Sequence, residues 1–267
     1  MYFSARHIDI KLKQDVSLSV TKDNKSALVI CDGIGEFEDS GEAAKITVEC
    51  FNDVIFTENY SVENIVRRAK DEIVSTGQKM GTTFICAIQN DENSIGINYL
   101  GNGGVIHMHG DFANHLYTNH PYRFAHLMLP HITPQGALSR HISHFSGEQE
   151  LCLSKFETTL NHPLGDILFL FSDGITSLEE MAIIKDGNNR YWRSENDAIQ
   201  FILTEFDNFL QEFSNDFSAY LLDNFLNETL HKLKINNQLE DDASLGIVMT
   251  QNVVNYYSKL ADDKRTR

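Results

Sequence analysis

The sequence predicts an α+β fold, with mainly antiparallel sheets and helices packed outside them. Three observations predict it. Strand signals come as adjacent runs joined by short turns, not in strict alternation with helices, which excludes a doubly wound parallel sheet. Several runs are continuously apolar, such as ALVIC (27–31) and LFLF (168–171), as expected of strands covered on both faces. Helical periodicity is concentrated in two stretches, 41–76 and 198–233.

The elements follow in order. Residues 16–21 (VSLSVT) alternate as a half-buried strand, and 27–31 form a buried one ending at Asp32-Gly33. Ala44, Val48, Phe51 and Ile55 mark a helix over 41–56. Ser61 is an N-cap for a second helix over 62–76. Strands at 82–89 and 94–100 lead to the turn Gly101-Asn102-Gly103-Gly104, and 105–109 is the return strand of that hairpin. Residues 111–146 are polar, His-rich and aperiodic, and are expected to be irregular. A buried strand over 166–172 ends at Asp173-Gly174. Apolar residues then recur at three and four from 198 to 233, giving one or two long helices. The last strand, 244–250, is preceded by Glu240-Asp241-Asp242. The charged tail, 262–267, is expected to fray.

Composition bounds the function. In 267 residues there are 38 acidic and 22 basic side chains, a net charge of −16, with 42% hydrophobic residues. That apolar content excludes general disorder. The negative charge argues against nucleic acid and against an anionic lipid surface as partners. No apolar run approaches the ~20 residues that span a bilayer, and the N-terminus lacks the apolar core of a signal peptide. Cys31, Cys50, Cys86 and Cys152 are widely spaced, which reads as reduced thiols in a cytoplasmic protein. With few prolines and no Gly/Ser-rich tract, the chain is expected to form one domain over 1–267 and to act as a monomer.

Chemistry is expected where apolar strands end in acids: Asp32 after ALVIC, Asp173 after LFLFS, and Asp241-Asp242 before SLGIV. Carboxylates converging at one sheet edge repel each other unless a cation neutralises them. Oxygen-only donors select hard ions such as Mg²⁺ or Mn²⁺. Each Asp-Gly alone reads as a common turn; the set carries the inference.

The set in order is Gln14-Asp15, Asp32-Gly33 with Gly41-Glu42-x-Ala opening a helix, Gly81-Thr82-Thr83, Leu100–Gly104, Ala137-Leu138-Ser139-Arg140, Gly165-Asp166 with Ser172-Asp173-Gly174, and Asp241-Asp242-Ala243-Ser244. It resembles the motif series of the metal-dependent Ser/Thr protein phosphatases of the 2C type, in their bacterial branch, over about residues 8–250. The resemblance implies a four-layer α-β-β-α sandwich with a dinuclear Mn²⁺ or Mg²⁺ site at one edge. It implies that Asp32 bridges the two ions, that the Gly33 carbonyl ligates one, that Asp173 and Asp241 complete the other's shell, and that Asp15 acts through bound water. The implied reaction is hydrolysis of phosphoserine or phosphothreonine in a protein by a water shared between the ions.

The chain departs from the pattern in places. Ile10 stands where the family has its phosphate-binding arginine, leaving Lys11, Lys13 or Arg6 as substitutes, and Asn102 stands where many members have an aspartate that helps hold a third ion. The span from Asp173 to Asp241 is long, which predicts a helical insertion over about 182–215. Eight of the 11 histidines lie between His107 and His144, and are expected in a solvated flap over 111–146 or beside it. The competing reading is a catalytically weak or inactive module that binds a phosphorylated partner.

Overall fold

The computed structural model describes residues 1–116, 125–177, 181–186, 189–194 and 198–265. The elements are β1 (Tyr2–Ile8), β2 (Asp15–Lys22), β3 (Lys25–Asp32), α1 (Ser40–Val54), α2 (Val62–Ser75), β4 (Gly81–Thr82), β5 (Phe84–Gln89), β6 (Ser94–Leu100), β7 (Gly104–His109), α3 (Ala113–Leu116), β8 (Ala125–His126), β9 (Ile142–Ser143), β10 (Ser154–Thr159), β11 (Asp166–Phe171), β12 (Met181–Asp186), β13 (Asn189–Ser194), α4 (Ala198–Phe213), α5 (Ala219–Ile235), β14 (Ala243–Met249) and α6 (Gln251–Arg265). Two five-stranded sheets run β1-β14-β11-β7-β8 and β10-β6-β5-β3-β2. Neighbouring strands within them pair antiparallel.

Side-chain alternation along the strands dictates the layers. On β3, Ala27, Val29 and Cys31 join a core with α1 and α2, while Leu28 and Ile30 face the other sheet. On β11, Ile167, Phe169 and Phe171 join a core with α4, α5 and α6, while Leu168 and Leu170 meet Leu28 and Ile30 between the sheets. Three apolar interfaces therefore separate four layers, in the expected α-β-β-α order. Burying each such aliphatic side chain is worth about 1.5–3 kcal/mol, so strands covered on both faces are the most heavily anchored. Local signals agree with the helix starts: Ser61 accepts from Asn64 N at 3.2 Å to cap α2, and Ser218 accepts from Leu221 N at 3.2 Å to cap α5.

The structure adds β1, which pairs with β14 from Tyr2↔Met249 to Ile8↔Ala243. The middle of its helix-facing side is polar, between Tyr2 and Ile8: Ser4 donates to Asp223 on α5, and Arg6 pairs with the same carboxylate at 2.6 Å. It also adds α6, which anchors through Val253, Val254 and Tyr257 and continues through Asp262, so the charged tail is helical to Arg265, with 266 and 267 outside the described residues.

The segment expected as a helical insertion holds strands as well as a helix. Within 182–215, β12 and β13 pair as a hairpin, and α4 is part of the sheet-facing core through Ile202, Leu203, Phe206 and Leu210. Residues 187–188 and 195–197 of that segment lie outside the described residues, as do 117–124 of the expected flap. Cys31, Cys50 and Cys86 are buried, Cys152 is exposed, and all four are free thiols. Among the described residues, no helix is long and apolar enough to cross a membrane.

Candidate active site

Antiparallel pairing sets the start of one strand against the end of its neighbour. Asp15, first on β2, is therefore opposite Asp32, last on β3. In the facing sheet, Phe171 at the end of β11 pairs with Leu245 near the start of β14, so Asp173 lies beside the approach to β14 that carries Asp241 and Asp242. All four predicted acids thus come to one end of the sandwich.

Three of them interact. Ser172 Oγ donates to Asp15 Oδ2 at 2.7 Å and accepts from Ser244 N at 2.9 Å. Asp15 is 2% exposed, and its Oδ1 has no hydrogen-bond partner. Burial raises the Asp15 carboxyl to about 7, the hydrogen bond from Ser172 opposes the rise, and the charge of Asp173 adds to it. Burial also pushes Asp32 well above the usual carboxylate range, followed by the charges of Asp15 and Asp173. Asp32 is held by its backbone: its carbonyl accepts from Thr83 N at 2.8 Å and Thr82 Oγ1 at 2.9 Å, and its N–H donates to Thr83 Oγ1 at 3.1 Å. Asn102 Nδ2 donates to Asp173 Oδ2, so the asparagine in the hairpin supports this carboxylate.

The two adjacent acids before β14 part company. Asp242 is buried and accepts backbone N–H bonds from Ile10 at 2.6 Å, Lys11 at 2.7 Å, Leu12 at 3.1 Å and Gln14 at 2.8 Å. Burial alone would raise its carboxyl, but these four amides hold it below the usual range. The loop it clamps includes Lys13 at φ 57°, a left-handed conformation that an unsupported lysine disfavours. Asp241 is exposed, and its Oδ1 accepts from Asp242 N at 3.0 Å. The structure brings Asp241 to the same end of the sandwich without engaging its carboxylate with the other three.

Two glycines are required by close approach. A Cβ on Gly174 would lie 1.8 Å from the Asp242 carbonyl oxygen, so the turn after Asp173 can lie against the approach to β14 only without one. A Cβ on Gly33 would lie 2.6 Å from the Ser40 backbone at the start of α1.

The substitutes for a phosphate-binding arginine are also placed. Arg6 is committed to Asp223 and to the carbonyl of Ala5. Ile10 packs its side chain against the core under α4–α6. Lys11 and Lys13 are exposed on the clamped loop beside Asp15.

Among the described residues, the histidines do not form one solvated group. His107 and His109 belong to β7 and meet Asp166. His131 stacks on Tyr99 at 4.8 Å and bonds Ser154 Oγ at 2.8 Å. Burial, with Arg140 nearby, lowers His131 to about 4, so it is neutral and serves packing.

The donor set of Asp15, Asp32 and Asp173 fits a hard divalent cation. It is all oxygen, two of its carboxyls are pushed toward protonation by burial and mutual charge, and one buried oxygen lacks a partner. Sequence reasoning located these acids but missed the roles of Ser172, Asn102 and Asp242. Ser172 had a signal in its place next to Asp173. The nest around Asp242 had none, because its donors are main-chain amides.

No protein-family model and no curated protein matches the sequence. Solved structures do match. A serine/threonine phosphatase from Staphylococcus aureus aligns with a TM-score of 0.62 and 16% identity, over 92% of this chain and 94% of that one. The Mycobacterium tuberculosis serine/threonine phosphatase PstP aligns with a TM-score of 0.59 and 12% identity, over 92% of this chain and 96% of that one. A second structure of PstP holds its catalytic domain in complex with two manganese ions. A Caenorhabditis elegans sex-determining protein aligns with a TM-score of 0.57 and 15% identity, over 97% of this chain and 67% of that one. The chain therefore has the fold of the bacterial serine/threonine phosphatases, as the motif series implies.

Proposed function

We propose that this chain is a metal-dependent phosphoserine/phosphothreonine protein phosphatase that acts as a monomer on a phosphorylated protein. The observation that carries the reading is the meeting of Asp15, Asp32 and Asp173 at one end of a sandwich whose fold is that of serine/threonine phosphatases. Asp32, Asp173, the Gly33 carbonyl and Asp241 would hold two Mn²⁺ or Mg²⁺ ions. Such ions supply a nucleophilic water at neutral pH and neutralise charge on the phosphoryl oxygens. The chain's own groups do the positioning. Ser172 fixes the Asp15 carboxylate and leaves Oδ1 free to accept a proton from a nearby water. Asn102 fixes Asp173, and the Asp242 clamp fixes the loop that delivers Asp15. In a protein of charge −16, a cation-loaded site is also what makes an anionic phosphoester welcome.

A second reading has its own support. Arg6 is paired with Asp223 and Ile10 packs, partly buried, against the helix-side core, so neither position offers an arginine fork to the substrate phosphate. That favours a weak or inactive module that binds a phosphorylated partner. Hydrolysis of p-nitrophenyl phosphate and a phosphothreonine peptide, with Mn²⁺, Mg²⁺ or EDTA, separates the two. Turnover that needs Mn²⁺ or Mg²⁺ and stops with EDTA supports the phosphatase. No turnover by folded protein with either ion moves the assignment to the binding module.

A further inference from the structure

We propose that His107, His109 and Asp166 form a separate site for one transition-metal ion of the Zn²⁺ class, at the end of the sandwich opposite the aspartate cluster. His107 Nε2 lies 2.8 Å from Asp166 Oδ1, and His109 Nδ1 lies 3.2 Å from the same oxygen. The three donor atoms all fall within 4.8 Å of one another. Ligands bonded to a tetrahedral ion at ~2.0–2.1 Å stand about 3.3 Å apart, so small rotations would open this group around an ion.

The fold builds the arrangement. His107 and His109 are alternate residues on β7 and share a face, and the β7–β11 register sets Asp166 opposite His109. Asp166 is 2% exposed, and its second oxygen accepts from His162 N at 2.8 Å. Its own N–H donates to Thr250 Oγ1 at 2.9 Å. Its carboxylate is thus oriented by neighbours, as metal-ligating carboxylates are. The His162 ring stacks on His109 at 3.8 Å and holds that ring in place. His109 is 46% exposed, which gives an ion a path from solvent.

The donors specify the class of ion. Two imidazoles and one carboxylate suit Zn²⁺, Ni²⁺ or Cu²⁺, whereas the oxygen-only set of Asp15, Asp32 and Asp173 suits Mg²⁺ or Mn²⁺. The two sites lie at opposite ends of β11, separated by about 20 Å at the rise of an extended strand. An ion here would tie β7 to the first residue of β11, without reaching the chemistry at the far end.

The test uses the metal-stripped full chain in millimolar Mg²⁺, titrated with Co²⁺ and then Zn²⁺. Visible absorption reads tetrahedral Co²⁺, and competition with a chromophoric chelator reads Zn²⁺. The expected result is one Zn²⁺ per chain in the wild type and in Asp173→Asn, with affinity lowered ~100-fold or more in the His107→Gln/His109→Gln double variant. The double variant keeps its Mn²⁺-dependent hydrolysis of p-nitrophenyl phosphate at the wild-type level. Equal Zn²⁺ affinity in the double variant, or no Zn²⁺ bound by the wild type, overturns the proposal and leaves a hydrogen-bonded His–Asp cluster. Should the double variant fail to fold, histidine ¹⁵N spectra of the wild type decide. Zn²⁺-dependent shifts at His107 Nε2 and His109 Nδ1 support the site, and unmoved resonances overturn it.

Discussion

Asp15 and Ser172 are joined by a 2.7 Å hydrogen bond that crosses from one sheet to the other, between the first residue of β2 and the residue after β11. Ser172 is itself fixed by Ser244 N at 2.9 Å, so the contact sets the spacing of the two sheets where the acids meet. It also favours the ionised form of Asp15. Ser172→Ala should therefore raise Asp15 further and move the acidic limb of the kcat/KM pH profile upward. A loss of ~10-fold at neutral pH is expected, in the range of lost supporting groups around metal ligands. Steady-state kinetics from pH 5.5 to 9 check this, and an unshifted limb would remove Asp15 from the reaction.

The metal-free protein should lose stability as pH rises. Asp15 has a folded value of about 7 against an ordinary 3.8, and Asp32 is raised as well. A carboxyl raised by folding binds its proton more tightly in the folded state. Its contribution is fully present below about 4 and is lost as pH climbs to about 7. Melts in EDTA should show Tm falling across that window, and saturating Mn²⁺ should flatten the fall. The Asp15→Asn variant should show a shallower slope than the wild type.

Asp173→Asn separates function from folding. The substitution keeps a group that Asn102 can meet, but removes one charge from three acids that repel each other. Metal-dependent turnover should fall well beyond ~100-fold, more than is lost with an outer-shell partner. The metal-free variant should melt at or above the wild-type temperature. Parallel kinetics and melts test both halves, and wild-type turnover would take Asp173 out of the metal set.

What was legible in the sequence follows from what side chains can advertise. β3, β11 and β14 were legible because burial on both faces leaves continuous apolar runs, and their ends pointed to Asp32 and Asp173. β1 was hidden because the middle of its helix-facing side is Ser4 and Arg6, made compatible with the interior by Asp223 on a helix more than 200 residues away. α6 was hidden because few of its residues are apolar. The grouping of His107, His109 and Asp166 depends on the β7–β11 register, which no local pattern encodes. The flap histidines read as solvated by composition, yet His131 is held against Tyr99 by contacts visible only in three dimensions.

Asp241 and Asp242 provide the sharpest separation of roles, because they are adjacent, chemically identical and differently used. Asp242 is 3% exposed and satisfies four amides in the loop before β2. Each buried amide left without a partner costs about 1–3 kcal/mol, and even with relaxation Asp242→Ala should cost at least ~3 kcal/mol. For a chain of this size that lowers Tm on the order of 10 °C. Because the same loop delivers Asp15, activity should fall with it, and Asp242→Asn should recover part of both by keeping acceptor capacity on its amide oxygen. Asp241 is exposed and its carboxylate accepts from the N–H of its neighbour, so Asp241→Ala should change stability by less than ~0.5 kcal/mol. If Asp241 completes the metal set, that variant should nonetheless raise the Mn²⁺ concentration needed for half-maximal turnover by at least ~10-fold. Thermal melts and Mn²⁺ titrations of the three variants make the comparison. An Asp241→Ala enzyme with unchanged Mn²⁺ dependence would leave Asp32 and Asp173 as the ion-holding aspartates.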